Sequence, residues 1–533
     1  MKDRMRMPLG LAGWRMAAAT IFAGLLAAVL PARAVNYTWD GGGTDDLFST
    51  GANWDTAPVA GNTNFLIFDG TTRLNPTNDL AAGTAFGGLS FASGAGDFTL
   101  SGSTLRLGDG NNSSLTIGSD ASGAIVINNN LQMDEAQIRF NSSSGGSLTV
   151  NGLIGPAPGR ASFSELLVTR GSVYFTNPTN DFNATMGIIG GRLVVANIAD
   201  AGVASAIGVG SKIRLGNAGS SGTFEYTGGA ASTDRQLVIG GGESSTTHTG
   251  GGTIASSGTG AMTFTADAFI SPQTTHIAAR TLTLRGTYTG APNVIEGVIA
   301  DNNTAGGGII NIAKNDAGTW QLDGANTYSG TTLISGGTLL VNGTHTGGGQ
   351  YTVASGATLG GTGLIDAAIG VLNGGIVAPG NSPGILTVGG NFTFSSTSTG
   401  LFELGGTGRG TQYDALVVEE TLTLDGDIVV TLFSGFNPSA GDSFDLLDWG
   451  SLIDNGYNLV LPGLDAGLAW ETSGFGTEGT LLVIPEPSTV GLLGLGAVVM
   501  LGVVRRGGRG RRPSRSRAYR QSFVFSAPRP KGE

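Results

Sequence analysis

The residues able to do acid–base, nucleophilic or metal chemistry in this chain are few and scattered. Its three histidines, His248, His276 and His345, each follow a threonine and stand far from one another. No local spacing suits a zinc site or a Ser-His-Asp triad. Cysteine is absent, which excludes thiol catalysis, zinc–thiolate centres and disulfides. Between the two ends the only lysines are Lys212 and Lys314. A β-helical polysaccharide lyase needs a basic residue beside a calcium-holding carboxylate cluster. Arg139, Arg170 and Arg192 could formally supply the base, but no acidic cluster accompanies them in sequence. Carboxylates do group as Asp40/Asp45/Asp46, as Asp414 with Glu419/Glu420, and as Asp442/Asp445/Asp448. A glycosidase pair must face across a cleft at roughly 5–10 Å, a separation that sequence spacing does not fix. The last group flanks Phe444, Leu446 and Leu447, so a strand-and-turn role is simpler. No catalytic residue and no cofactor is assigned; calcium is the one ion these carboxylates could hold. Trp39 and Trp54 admit two readings. They could stack on sugar rings, or they could cover the open end of a β core, and the cap is favoured because an uncovered end exposes apolar side chains and strand edges.

The elements that must position these groups are short strands. Glycine supplies 93 of 533 residues and charged side chains only 13%, a composition unlike that of compact α/β enzymes. A hydrophobic share of 40% suffices for a core, and no strict Gly-X-Y period exists, so disorder and collagen are excluded. Net charge is −11, with +4 on residues 1–34 and +9 from Arg505 onward, leaving −23 on residues 35–484. An acidic body of this kind repels phosphate backbones, so no nucleic-acid partner is expected.

Period-two alternation runs through the body: Phe98-Thr-Leu100, Leu105-Arg-Leu107, Leu115-Thr-Ile117, Ile125-Val-Ile127, Ile138-Arg-Phe140 and Leu148-Thr-Val150. A repeat is visible over Gly318-Thr-Trp-Gln-Leu and Gly336-Gly-Thr-Leu-Leu-Val, with a weaker copy over Gly171-Ser-Val-Tyr-Phe and Gly190-Gly-Arg-Leu-Val-Val. Matching lead-ins precede them, Gly152-Leu-Ile154 and Gly297-Val-Ile299. The Gly-Gly-Thr-Leu theme returns at Gly356 and Gly374, steps of 20 and 18 residues that suit one coil of a parallel β-helix. These segments resemble the autotransporter-associated β-strand repeat, clearly over 313–343 and in degenerate form over 167–197. Val377-Ala-Pro-Gly-Asn-Ser-Pro-Gly-Ile-Leu-Thr-Val388, Tyr413-Asp414 and Ala440–Asp445 resemble the stretch that follows such repeats, and Trp39-Asp-Gly41 with Asn53-Trp54 resembles their N-terminal module. The fold expected is all-β, a right-handed parallel β-helix or β-solenoid. Residues 35–95 are expected as a β cap module, 96–390 as the solenoid and 391–484 as a C-terminal β region.

The two ends read as addresses. Basic residues through Arg15, an apolar run Met16–Leu30 and the small residues Ala32 and Ala34 make residues 1–34 a signal peptide read by the Sec export machinery, cleaved after Ala34. At the other end Pro485-Glu486-Pro487 precedes an uncharged run, 488–504, and then Arg505-Arg506. Seventeen residues give about 25 Å of helix, the short limit for crossing a bilayer, and the arginines would stay cytoplasmic. This stretch, 485–506, resembles the PEP-CTERM sorting signal of Gram-negative bacteria, except that a basic tail, 507–533, follows where the family usually stops. The resemblance implies processing by an exosortase-type membrane enzyme and release or transfer to the outside. The protein is thus expected to cross the inner membrane, be anchored transiently, and end at the cell surface or beyond it. There it would act as a non-catalytic structural or adhesive matrix protein with exopolysaccharide as a partner. The alternative is a lyase or hydrolase on the same scaffold. Processing predicts that mass spectrometry of exported protein finds no peptide from 507–533, and that replacing Glu486 leaves the protein in the membrane. Tail peptides recovered outside the cell would instead favour a plain anchor.

Overall fold

A strand of three to six residues with alternating apolar side chains buries one face, yet leaves every backbone N–H and C=O without an internal partner. In a chain rich in Gly, Asn and Asp turns those groups are matched by the next copy of the same pattern. The computed structural model describes residues 34–111, 113–217, 219–241, 249–270, 277–302 and 307–486. Ala32, His248, His276, Pro487, the 488–504 segment, Arg505, Arg506 and the 507–533 tail lie outside the described residues. The alternation read from sequence is the alternation of burial: in Leu105–Leu107 the leucines are buried and Arg106 faces outward, and Leu148–Val150 and Ile138–Phe140 behave alike.

The chain divides into two units near residue 283. In the first, Asn36–Trp39, Gly61–Phe68, Thr84–Phe91, Ser114–Ser119, Gln137–Asn141, Glu165–Arg170, Thr185–Ile188, Lys212–Leu215 and Gln236–Ile239 pair successively in one parallel column. Thr99–Gly102, Ala124–Ile127, Ser147–Val150, Ser172–Phe175, Arg192–Val195, Gly222–Tyr226 and Gly252–Ser256 make a second. In the second unit three columns run side by side. One contains Asn293–Ile295, Thr319–Leu322, Gly337–Val341, Ala357–Gly361, Ile376–Pro379 and Thr399–Leu404. Another holds Ile310–Lys314, Thr332–Ile334, Tyr351–Val353, Ile369–Val371 and Phe392–Phe394. The third holds Ala325–Asn326, Thr344–His345, Leu364–Ile365 and Ile385–Val388. Each unit is a mostly parallel multi-stranded β assembly consistent with a β-solenoid.

Parallel stacking is not confined to 96–390. It begins at Asn36 and continues into Ala415–Leu432, one strand that pairs with members of all three columns of the second unit, and on which Leu447–Val460 lies in turn. A three-stranded antiparallel sheet follows, with Thr480–Pro485 between Ser443–Asp445 and Leu468–Glu471. Among the described residues no helix is long and apolar enough to cross a membrane.

The repeat is explained by its stacking. Ser172–Phe175 lies under Arg192–Val195, and Thr319–Leu322 lies under Thr338–Val341. The strong and the weak copy therefore make the same contact. Each copy also contributes a buried Asn at the same corner. Asn180 Oδ1 accepts from Ile154 N at 2.8 Å, and Asn326 Oδ1 accepts from Ile299 N at 2.9 Å. The two donors are the isoleucines of the lead-ins, so these belong to the coil and not to a linker. Gly337 adopts φ +61°, and a Cβ there would lie 2.4 Å from the Asp316 carbonyl oxygen of the coil below. The Gly-Gly of the theme is thus a close backbone approach as well as a turn.

Core side chains form ladders along the stack, one of them Trp320, Leu339, Leu359 and Val377 in register and all fully buried. Leu339→Ala should destabilise the second unit by about 2–5 kcal/mol, the usual cost of a buried leucine cavity. Leu333→Ala, at a 43% exposed position, should stay within about 0.5 kcal/mol. Denaturant titration followed by tryptophan fluorescence tests the pair, and equal shifts would contradict the ladder.

Candidate functional site

The positions singled out in the sequence fall mostly into structural roles. Trp39 and Trp54 are 0% and 4% exposed and meet edge to face at 5.2 Å, with Phe48 and Phe68 around them. Their indole N–H groups donate to the Arg73 and Phe48 carbonyls. No ring face is left for a sugar, which corrects the glycan-stacking reading. The loop they fasten covers the first strand, where Asp55 N donates to Thr38 O at 2.9 Å and Thr38 N donates to the Asp55 carboxylate. Ala34 borders a small outer depression with Phe65 and Glu135. Pro485 ends the last strand opposite Leu468, and Glu486 is exposed, its N–H bonded to Gly467 O.

The basic candidates are spent on the scaffold. Buried Lys314 Nζ donates to the carbonyls of Asn315, Asp316 and Gly336 at 2.8–2.9 Å, and burial brings its amine down to about 8. Arg170 pairs with Asp120 and Arg192 with Glu225, while Arg139 bonds Gln137. His345 is wholly buried; its Nε2 lies 2.7 Å from Tyr328 O, and desolvation holds its pKa below the ordinary imidazole value. The early aspartates tie turns: Asp40 accepts from Gly42 N, Asp45 from Leu47 N and Thr50, and Asp46 pairs with Arg73. Asp445 and Asp448 share Arg409, and Asp442 accepts from Ser439 N. Among the described residues no group of three or more acidic or histidine side chains could hold a metal ion.

Asp414 stands apart. Glu419 and Glu420, its neighbours in sequence, are exposed and make no site with it. Its carboxylate reaches the Pro379–Gly384 loop and the strand Thr399–Leu404, accepting from Gly384 N and Glu403 N, both at 2.8 Å. Asp414 N donates back to Glu403 O, and Ala415 N to Gly384 O. Two segments noticed separately in the sequence, 377–388 and 413–414, therefore meet. Glu403, which no motif marked, receives the Ser382 hydroxyl as a donor. Ser382 itself sits at φ +65°, a conformation costly for a non-glycine residue and fixed here by its surroundings.

This corner closes one end of a groove of about 460 Å³ on the outer face of the second unit. Outward positions of successive strands form its floor: Gln321 and Leu340 in register, then Ala378 and Leu401 on later strands. Ala378 carries only a methyl, so the column sinks there; the buried Gly360 beside it is a close backbone approach, where a Cβ would lie 2.5 Å from Ala378 O. Thr338 and Thr358, paired rung to rung, make one wall, and Pro379–Ser382 makes the other. No lysine or arginine lines it. The arrangement can bind; its one hydroxyl–carboxylate contact is Ser382 on Glu403, and no histidine stands with them in the lining.

A family model described as Passenger-associated-transport-repeat matches residues 312–341, the span read from sequence as the clear repeat. The chain is similar to the Adhesin BmaC autotransporter of Brucella suis biovar 1 (strain 1330), with 33% identity over 242 residues, which is 45% of this chain and 6% of that protein.

Burial, aided by the nearby Glu403 charge, pushes the Asp414 carboxyl up to about 7, against the pull of its two N–H donors. The folded state therefore holds this proton more tightly than the unfolded chain. The stability gained is complete below the ordinary value of 3.8 and is lost as pH rises through about 7. Asp414→Asn removes that titration and leaves one backbone N–H facing an amide, at a cost of about 1–3 kcal/mol. Its destabilisation relative to the parent should be larger at pH 4.5 than at pH 8 in urea melts. A gap independent of pH would contradict the assignment.

Proposed function

We infer that this is an exported, non-catalytic β-solenoid of the cell surface or extracellular matrix, with a structural or adhesive role. The reading is carried by the similarity to an adhesin over 45% of the chain. It is supported by the passenger-type repeat, whose basic and buried polar side chains serve coil-to-coil bonding. In this proposal the coils wind right-handed, the Sec machinery exports the chain, and an exosortase-type enzyme processes it at Pro485-Glu486-Pro487. Exopolysaccharide is its partner in the matrix. Lyase or hydrolase activity draws no support, because the candidate bases hold carbonyls or single carboxylates.

Antibody labelling of intact cells should reach the body of the protein. Deleting the gene should reduce attachment to abiotic or cell surfaces several-fold, with restoration on re-expression. Labelling only after permeabilisation, or unchanged attachment, would overturn the proposal.

A further inference from the structure

We propose that the outer groove beside Ser382 and Glu403 binds a neutral, linear polysaccharide lying along the coil axis, a reading that rests on the adhesive function and gives it a site. The groove crosses five stacked strands, from Gln321 to Leu401. At ~4.8 Å per rung it is roughly 19 Å long, and its 460 Å³ is ordinary for a ligand site.

Its chemistry selects among ligands. The strands beneath have spent their backbone donors and acceptors on one another, so a peptide crossing them finds no edge to extend. An anionic polymer meets no cation in the lining, two acidic side chains, Glu403 and Asp414, and a body carrying −23. A neutral sugar chain suits what remains. Leu340, Ala378 and Leu401 give an apolar floor for the C–H faces of the rings. The Thr338 and Thr358 hydroxyls repeat at the rung spacing, which is close to the advance of one ring in an extended pyranose chain. Glu403 accepts at the end of the groove, and a carboxylate accepting from sugar hydroxyls makes strong, charge-assisted bonds. The Ser382 hydroxyl orients that carboxylate from a backbone fixed by Asp414 through Gly384.

Calorimetric titration of the purified full chain with cellohexaose and laminarihexaose, and with hexagalacturonate as the anionic comparison, tests this. At least one neutral hexasaccharide should bind measurably and hexagalacturonate should not. Ala378→Phe, which fills the trough from an outward position, should weaken binding by about tenfold or more. Glu403→Gln should cost roughly three- to tenfold by removing the charge from one acceptor, and Leu333→Ala, on another face, should change nothing. Circular dichroism checks folding, and Glu403→Gln carries the test should Ala378→Phe misfold. Equal affinity in parent and groove variants, preference for hexagalacturonate, or no binding of either neutral sugar overturns the proposal. If cells bearing the groove variants still attach like the parent, only the groove falls. If the parent itself fails to attach, the adhesive reading falls separately.

Discussion

Each coil of this protein can satisfy its backbone only through the coil beside it. A three-residue strand such as Tyr351–Val353 has too little side chain to be stable alone, and its amides must pair with Thr332–Ile334 on one side and Ile369–Val371 on the other. Stability is then a sum of neighbour interfaces, and any end of a stack is a liability. At the start of the first unit that liability is met by the Trp39–Trp54 loop, which pairs the free edge and seals the core with rings. The same constraint governs the corners. Turn carbonyls that no strand can reach are taken up by buried donors: Lys314 in the second unit, and in the first Arg235, whose guanidinium bonds the carbonyls of Ala199, Gly208 and Gly210.

That demand draws polar side chains inward and removes them from chemistry. Tyr328, Tyr351 and Thr332 bond one another in the core, with His345 stacked on Tyr328 at 4.0 Å. A buried group without its partner would cost about 1–3 kcal/mol, so such residues are fixed by the fold even though their types resemble a catalytic set. The polar groups with freedom to meet a ligand lie on outward positions, which the stack does not constrain.

Much of this was legible in the sequence because the pattern is local. The step of 20 and then 18 residues between copies of the Gly-Gly-Thr-Leu theme is the register in which Gly337 pairs with Ala357, and Thr358 with Ile376. The lead-ins Gly152-Leu-Ile154 and Gly297-Val-Ile299 were visible as recurring words, though not the part their isoleucines play, and Trp39 with Asn53-Trp54 was visible through its resemblance to an N-terminal module. Two further things were not. The extension of stacking beyond 390 escaped because Ala415–Leu432 turns corners as one continuous strand, with Gly426 its single glycine and no copy of the Gly-Gly-Thr-Leu theme. The association of Asp414 with Glu403 escaped because Glu403 is an outward residue in an alternating strand, the least conspicuous setting for an acid. Sequence proximity pointed instead to Glu419 and Glu420.

A solenoid separates what must be kept from what is free to change. Inward positions are held by ladders, as Leu339 is between Trp320 and Leu359, and an altered side chain there is felt by two neighbours at once. Outward positions answer only to solvent, so a depression needs no new architecture. A small outward residue such as Ala378 leaves a trough, and one ordered turn beside it supplies a wall. The turn must be rigid to be useful. Asp414 provides this by joining Gly384 to Glu403 through two short hydrogen bonds in a buried setting, where such bonds are strong. The carboxylate that most resembles a catalytic acid therefore acts as a brace between the turn at Gly384 and the strand at Glu403.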